Sequence, residues 1–183
     1  FIKKVQDGIH FLGYTIQMWS PEAMKLIKVI TQTQYKTIRA LRRTTSRKIT
    51  ILPHKERVLN NLILKKFCQP NTHYPIGVRG WTHYSEFEIV LKYRQVMLGI
   101  VNYYRNCDQT RILNYVSYIL QYSCAKTLAA RRKETMPQIF DRYGKNLTIT
   151  QTFFSSNQNT TRTVKFSTYT DFKREGRFEP LHF

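Results

Sequence analysis

Ser85-Glu86-Phe87-Glu88-Ile89-Val90-Leu91-Lys92-Tyr93-Arg94 opens the stretch that decides the fold. Ser85 and Glu88 stand in the Ser-x-x-Glu spacing of a capping box, which satisfies two orphan backbone donors at a helix start. Phe87, Val90, Leu91, Met97, Leu98 and Val101 then recur at three- and four-residue intervals. That period predicts one apolar stripe on a helix over 86–105. Glu86 and Glu88 read as acids placed against the positive end of the helix dipole, and Gly99, inside the stripe, as a point of close helix approach.

Downstream, Asn106 to Asp108 break the pattern, and Asp108 is a candidate cap for a second helix. Ile112, Val116, Ile119, Leu120 and Ser123 repeat on one face of that helix, which runs over 108–130 into Lys126 and the Arg131-Arg132-Lys133 cluster. Two helices joined by a short turn predict an antiparallel hairpin. A short helix follows over 137–143, with Gly144 as its terminator.

Upstream, Val58, Leu59, Leu62 and Ile63 predict a helix opening at Pro53 and ending near Lys65-Lys66-Phe67-Cys68. Pro70, Pro75, Gly77 and Gly80 make residues 69–83 a structured loop. Residues 8–16 read as a short strand pair interrupted by glycine. Ser20-Pro21-Glu22 has the form of a helix start, and the basic run from Lys36 to Lys48 that of a frayed helix or an exposed loop. After Leu147, Thr, Ser, Asn and Gln dominate. There Thr148–Phe154 and Thr163–Tyr169 pair as a hairpin, or the segment stays disordered until a partner binds. The expected fold class is mainly α, with a short N-terminal β element and this tail.

The chain carries 30 Lys or Arg against 11 Asp or Glu in 183 residues, a formal charge of +19. Such a field opposes compaction unless a polyanion neutralises it, and residues 34–66 alone hold ten cations and one acid. With 42% hydrophobic residues the chain still builds a core, so a disordered polycation is excluded. No run reaches a transmembrane span. The first residue is Phe1, which reads as a processed product or a portion of a longer chain.

Catalytic and metal chemistry find no foothold. Cys68, Cys107 and Cys124 form neither a disulfide framework nor a Cys-x-x-Cys pair, and His10, His54, His73, His83 and His182 show no HExxH spacing. No phosphate-cradling glycine loop is present. No paired acids match the DxD or YxDD contexts of two-metal phosphoryl chemistry. The expectation is a chain without cofactor, metal or catalytic residue. What the sequence does offer is cations interleaved with flat rings, which suit phosphates and unpaired bases. Candidate RNA-binding residues are Arg39, Arg42, Arg43, Arg47, Lys48, Lys55, Arg57, Lys65 and Lys66. A second group is Arg79, Trp81, Lys92, Lys126, Arg131, Arg132, Lys133, Arg142 and Lys145. Tyr93, Arg94, Tyr103, Tyr104 and Arg105 are open between core and RNA.

Phe11-Leu12-Gly13-Tyr14 resembles the last block of a group II intron reverse-transcriptase palm. The run from Pro53 to Cys68, Trp81, the segment from Ile89 to Tyr104, and Tyr118 to Ala129 resemble in order the maturase thumb, or domain X. Arg131-Arg132-Lys133 and Phe140-Asp141-Arg142-Tyr143-Gly144 close the pattern, which covers about residues 8–147. The resemblance implies a palm remnant over 1–20, a thumb-like helical bundle over 21–147 and a polar extension over 148–183. It also implies binding and stabilisation of structured RNA, in an organelle, the mitochondrial matrix ahead of the chloroplast. The RNA would be a group II intron, whose splicing chemistry is the ribozyme's own. The alternative is ribosomal RNA, with the chain a structural component of a mitochondrial ribosome. A separately encoded palm, or ribosomal proteins, are the protein partners implied. The YxDD motif and the HNH endonuclease of longer family members are absent from these 183 residues.

Overall fold

The computed structural model describes residues 8–18, 26–32, 37–43, 49–108, 110–154 and 159–174. The chain divides into two units, Phe1–His54 and Lys55–Phe183.

The first unit is β. Strands β1 (Ile9–Phe11) and β2 (Tyr14–Met18) form the expected hairpin, and β5 (Ile49–Pro53) adds to β2. The hairpin turns at Leu12 and Gly13 with φ of 48° and 87°. Two successive positive φ angles match the right-handed strand twist, and glycine supplies the second without steric cost. The pairs Ile9↔Ile16 and Ile16↔Ile51 set the register.

A second hairpin, β3 (Leu26–Gln32) with β4 (Thr37–Arg43), corrects one expectation. The helix signal at Ser20-Pro21-Glu22 lies outside the described residues, and the chain that follows is a strand. The basic run is neither helix nor loop over 37–43. Ile27, Val29, Ile30, Thr31, Thr37 and Ile38 explain the outcome, because branching at Cβ favours strand over helix.

The second unit is mainly helical. Helices α1 (Lys55–Leu64), α2 (Glu86–Tyr103), α3 (Arg111–Arg132) and α4 (Met136–Tyr143) fall close to their predicted places. The capping box at α2 is present: Glu88 N donates to Ser85 Oγ at 3.3 Å, and Ser85 N to Glu88 Oε2 at 2.8 Å. The start of α3 differs, since its cap residue is Thr110 rather than Asp108. Gly144 terminates α4 with φ of 69°.

Helices α2 and α3 run antiparallel. Glu86 meets Arg132, Tyr93 meets Ser123 and Thr127, and Met97 meets Ser117. The buried stripe of α2 is Ile89, Val90, Tyr93, Met97 and Val101. It is rotated from the predicted one, with Phe87, Leu91 and Leu98 only half-buried. Gly99 is exposed, and a Cβ there would meet nothing within 4 Å, so it does not mediate helix approach. Cys68, Cys107 and Cys124 are free and buried. Burial raises all three thiols, Cys107 to about 12 with Asp108 adding to the effect.

The polar C-terminal region is built onto this core. Strands β6 (Ile149–Phe154) and β7 (Asn159–Val164) pair, and α5 (Tyr169–Arg174) follows. The second strand therefore ends five residues earlier than predicted. Cross-strand hydroxyl pairs, Thr150 with Thr163 at 3.0 Å and Thr152 with Thr161 at 3.4 Å, favour the observed register. Phe166 and Phe172 are fully buried, and Tyr169 N donates to Ser117 Oγ on α3 at 3.0 Å.

Candidate nucleic-acid interface

Helix α3 carries a row of polar side chains on a helix that is otherwise largely apolar inside. Ser123, Lys126, Thr127 and Arg131 all face residues 75–82 of the preceding loop. Ser123 Oγ donates to the carbonyl of Ile76, and Thr127 Oγ1 accepts from Val78 N at 2.9 Å. Lys126 Nζ donates to Pro75 O at 2.8 Å, and Arg131 to Thr82 O at 2.9 Å. The loop thus lies along α3 with its backbone groups satisfied, as a part-buried loop requires. Gly77 makes the approach possible, since a Cβ there would sit 3.1 Å from the backbone of Lys126 and Thr127.

Beneath the loop, Tyr93 is 0% exposed. Its hydroxyl is 2.8 Å from both Ser123 Oγ and Thr127 Oγ1. Its ring packs against Phe67 and Trp81 at centroid distances of 5.4 and 5.0 Å. Burial raises the phenol well above its usual range.

This strapped loop leaves a cleft of about 770 Å³ lined by Lys66, Gly77, Arg79, Trp81, Tyr84 and Lys126, among others. None of the described residues that line it is acidic. Lys92 Nζ sits over the rings of Tyr84 at 4.2 Å and Trp81 at 5.8 Å, and Lys126 Nζ lies 3.7 Å from the ring centre of Tyr74. Ring faces help hold these cations in place, and the cleft lining itself is positive. Such a site attracts phosphate and offers flat faces for bases.

The nominated residues fall into three groups. Lys66, Arg79, Trp81, Lys92 and Lys126 come together at this cleft, and Arg131 borders the strapped loop. Lys55, Arg57, Lys65, Tyr103, Arg105, Lys133, Arg142 and Lys145 are exposed elsewhere on the second unit, and Arg94 is half-buried. Arg39, Arg42 and Arg43 lie on β4, with Cα partners Ile30, Ile27 and Leu26; Arg47 and Lys48 fall outside the described residues.

Three of the nominated side chains are taken up by contacts within the chain. Tyr93 and Tyr104 are core aromatics, closed off by the packing of α2. Arg132 is committed within the chain: it bonds Glu86, and Glu134 at 3.1 Å, while Tyr143 also donates to Glu86. Arg142 joins the network through Glu134 at 3.0 Å. Sequence reasoning missed Glu86 as the centre of this cluster, because its partners lie 46 and 57 residues away. It also missed Tyr74 and Tyr84, whose ring–cation pairing has no local signature.

Glu86 gives the network a pH signature. Burial pushes its carboxyl up, but hydrogen bonds from Tyr143 and Arg132 outweigh this and hold it below its ordinary value. A carboxyl depressed in the folded chain stabilises the fold above its unfolded pKa, and that contribution disappears as pH falls through the folded value. Glu86→Gln is therefore expected to lower the urea midpoint near neutrality. The gap to wild type should close as the pH is taken below about 4.5, the ordinary value. A gap that stays constant with pH would contradict the network.

The class defined by these features is a basic, mainly helical unit whose surface joins cations to exposed rings. The type II intron maturase family model matches residues 24–176, and the chain belongs to that family. The match takes in β6, β7 and α5, so similarity extends past Leu147, where the sequence resemblance ended. The chain is 27% identical over 169 residues to maturase K of Marchantia polymorpha, covering 92% of this chain and 43% of that protein. It is 33% identical over 146 residues to the putative COX1/OXI3 intron 1 protein of Saccharomyces cerevisiae, covering 76% and 17%. It is 33% identical over 113 residues to maturase K of Physcomitrium patens, covering 62% and 22%. The chain thus spans less than half the length of these relatives.

Proposed function

We propose that this chain is the thumb-like RNA-binding module, or domain X, of a group II intron maturase. It grips folded intron RNA and stabilises the form competent for splicing. In this reading residues 1–20 are the end of a palm, 21–147 the thumb and 148–183 a polar extension. The protein supplies cations and surfaces and the RNA supplies the chemistry, so the chain itself carries no catalytic group. Its setting is an organelle, the mitochondrial matrix before the plastid. One observation carries the reading. Helix α3, whose stretch from Tyr118 to Ala129 resembles the family's thumb, uses Ser123, Lys126 and Thr127 to hold the cation- and ring-lined cleft in shape. The ribosomal alternative gains no support from the relatives that match.

The test is splicing of a group II intron transcript at a magnesium concentration too low for efficient self-splicing. Added protein is expected to accelerate splicing and to bind the intron more tightly than an unstructured RNA of equal length. Equal binding to both RNAs, with no acceleration, would overturn the reading.

A further inference from the structure

The outer face of α3 carries a feature that the cleft does not use. Tyr115, Tyr118 and Tyr122 recur at three and four residues, which places them on one helical stripe. Tyr115 and Tyr118 are 39% and 43% exposed. Their rings are nearly parallel, 14° apart with centroids 6.3 Å apart. Tyr118 and Tyr122 follow at 4.6 Å, and Phe140 of α4 extends the chain of rings at 5.6 Å from Tyr122. Tyr118, Tyr122 and Phe140, with Gln121 and Lys145, line a second open cavity of about 470 Å³.

Arg111 stands four residues before Tyr115 at one end of the stripe, and Lys145 lines the cavity beside Tyr118 and Tyr122. The 22 residues of α3 include no acid.

We infer that this ridge is a stacking platform for a short run of unpaired nucleotides, distinct from the cleft and resting on the RNA-binding reading above. The choice of occupant follows from chemistry. The exposed side chains are flat rings on a helix without an acid, with Arg111 and Lys145 beside them, which suits bases joined by a phosphate backbone. A paired A-form helix keeps its bases inside and offers nothing for the rings to stack on, so the ridge selects single-stranded loops or bulges. Gln121 Nε2 donates to Lys145 O at 2.7 Å, which ties the segment after α4 to α3 and fixes the cavity wall.

The experiment uses the full chain and two RNAs, a blunt two-stranded duplex and the same duplex with a single-stranded extension containing 2-aminopurine. Wild type is expected to bind the extended RNA more tightly and to quench the 2-aminopurine. The double variant Tyr118→Leu, Tyr122→Leu keeps apolar bulk. It should lose about ten- to hundredfold affinity for the extended RNA, in line with the stacking of one or two bases, while affinity for the blunt duplex stays the same. Tyr118→Ser, at an exposed position, is expected to show a smaller loss of the same kind. Equal losses on both RNAs, or no loss on either, would overturn the platform, the second result assigning the ridge to a protein neighbour. Failure of wild type to bind either RNA would instead sink the RNA-binding reading itself.

Discussion

Replacing Arg39, Arg42, Arg43, Arg47 and Lys48 by glutamine is expected to weaken RNA binding by orders of magnitude at physiological salt and to flatten its salt dependence. Each phosphate neutralised by a cation releases condensed counterions, so the slope of log K against log salt scales with the number of contacts, about 0.9 per contact on a duplex and about 0.7 on a single strand. Five contacts removed lower the slope by up to about 4.5 on a duplex and about 3.5 on a single strand. The expectation rests on the run's density of cations and on a hairpin, β3–β4, that fixes Arg39, Arg42 and Arg43 along one strand. Binding titrations at several salt concentrations measure it, with circular dichroism to check that the fold persists. An unchanged slope would remove this surface from the interface. Arg132→Gln is the informative contrast. Its guanidinium is already paired with Glu86 and Glu134, so its loss should leave the salt slope alone and reduce stability instead.

Tyr93→Ala is expected to be the most damaging single change to the fold. The ring is fully buried between Phe67 and Trp81, and truncating such a ring costs about 3–5 kcal/mol through lost transfer energy and the cavity left behind. The hydroxyl adds to this, because Ser123 and Thr127 lose their shared neighbour in a dry site. Against a typical total stability of about 5–15 kcal/mol, that loss leaves a marginal protein. Tyr93→Phe separates the two contributions: it keeps the ring and should cost only about 0.5–1.5 kcal/mol for the lost hydrogen bonds, because Ser123 and Thr127 keep their partners on Ile76 and Val78. Urea denaturation of both variants gives the comparison. Equal costs for the two would mean that the hydroxyl network, not ring packing, holds the site. Because Ser123 and Thr127 also hold the loop, even folded Tyr93→Phe should bind RNA less tightly.

The parts of this molecule that sequence made legible are those governed by neighbours within four residues. The α2 capping box, the lengths of α2 and α3, the start of α4 and the Leu12-Gly13 turn all follow from local chemistry. Where two local signals competed, the weaker reading entered. Ser20-Pro21-Glu22 has the form of a helix start, yet Ile27, Val29, Ile30 and Thr31 carry the chain into a strand. The rotation of the α2 stripe toward Ile89 and Tyr93 depends on what α3 and the loop present to it, which periodicity does not contain. The candidate site was half legible for the same reason. Composition and spacing nominated Arg79, Trp81, Lys92 and Lys126, and the structure gathers them at one cleft. The strap that shapes that cleft joins residues about 50 apart, and the neutralisation of Arg132 depends on Glu86 across the helix hairpin. Neither leaves a trace within a window of neighbouring residues.

The three buried thiols have a practical consequence. The chain's whole complement of cysteines is sequestered at Cys68, Cys107 and Cys124, and burial keeps each sulfur in its unreactive protonated form. A maleimide therefore has no native attachment point on the folded surface. A single Arg79→Cys or Tyr118→Cys replacement becomes the sole address for a fluorophore or a photocrosslinker, with no need to strip the natural cysteines first. Donor and acceptor dyes, one on the RNA and one at either address, would trace the path of the strand across the protein.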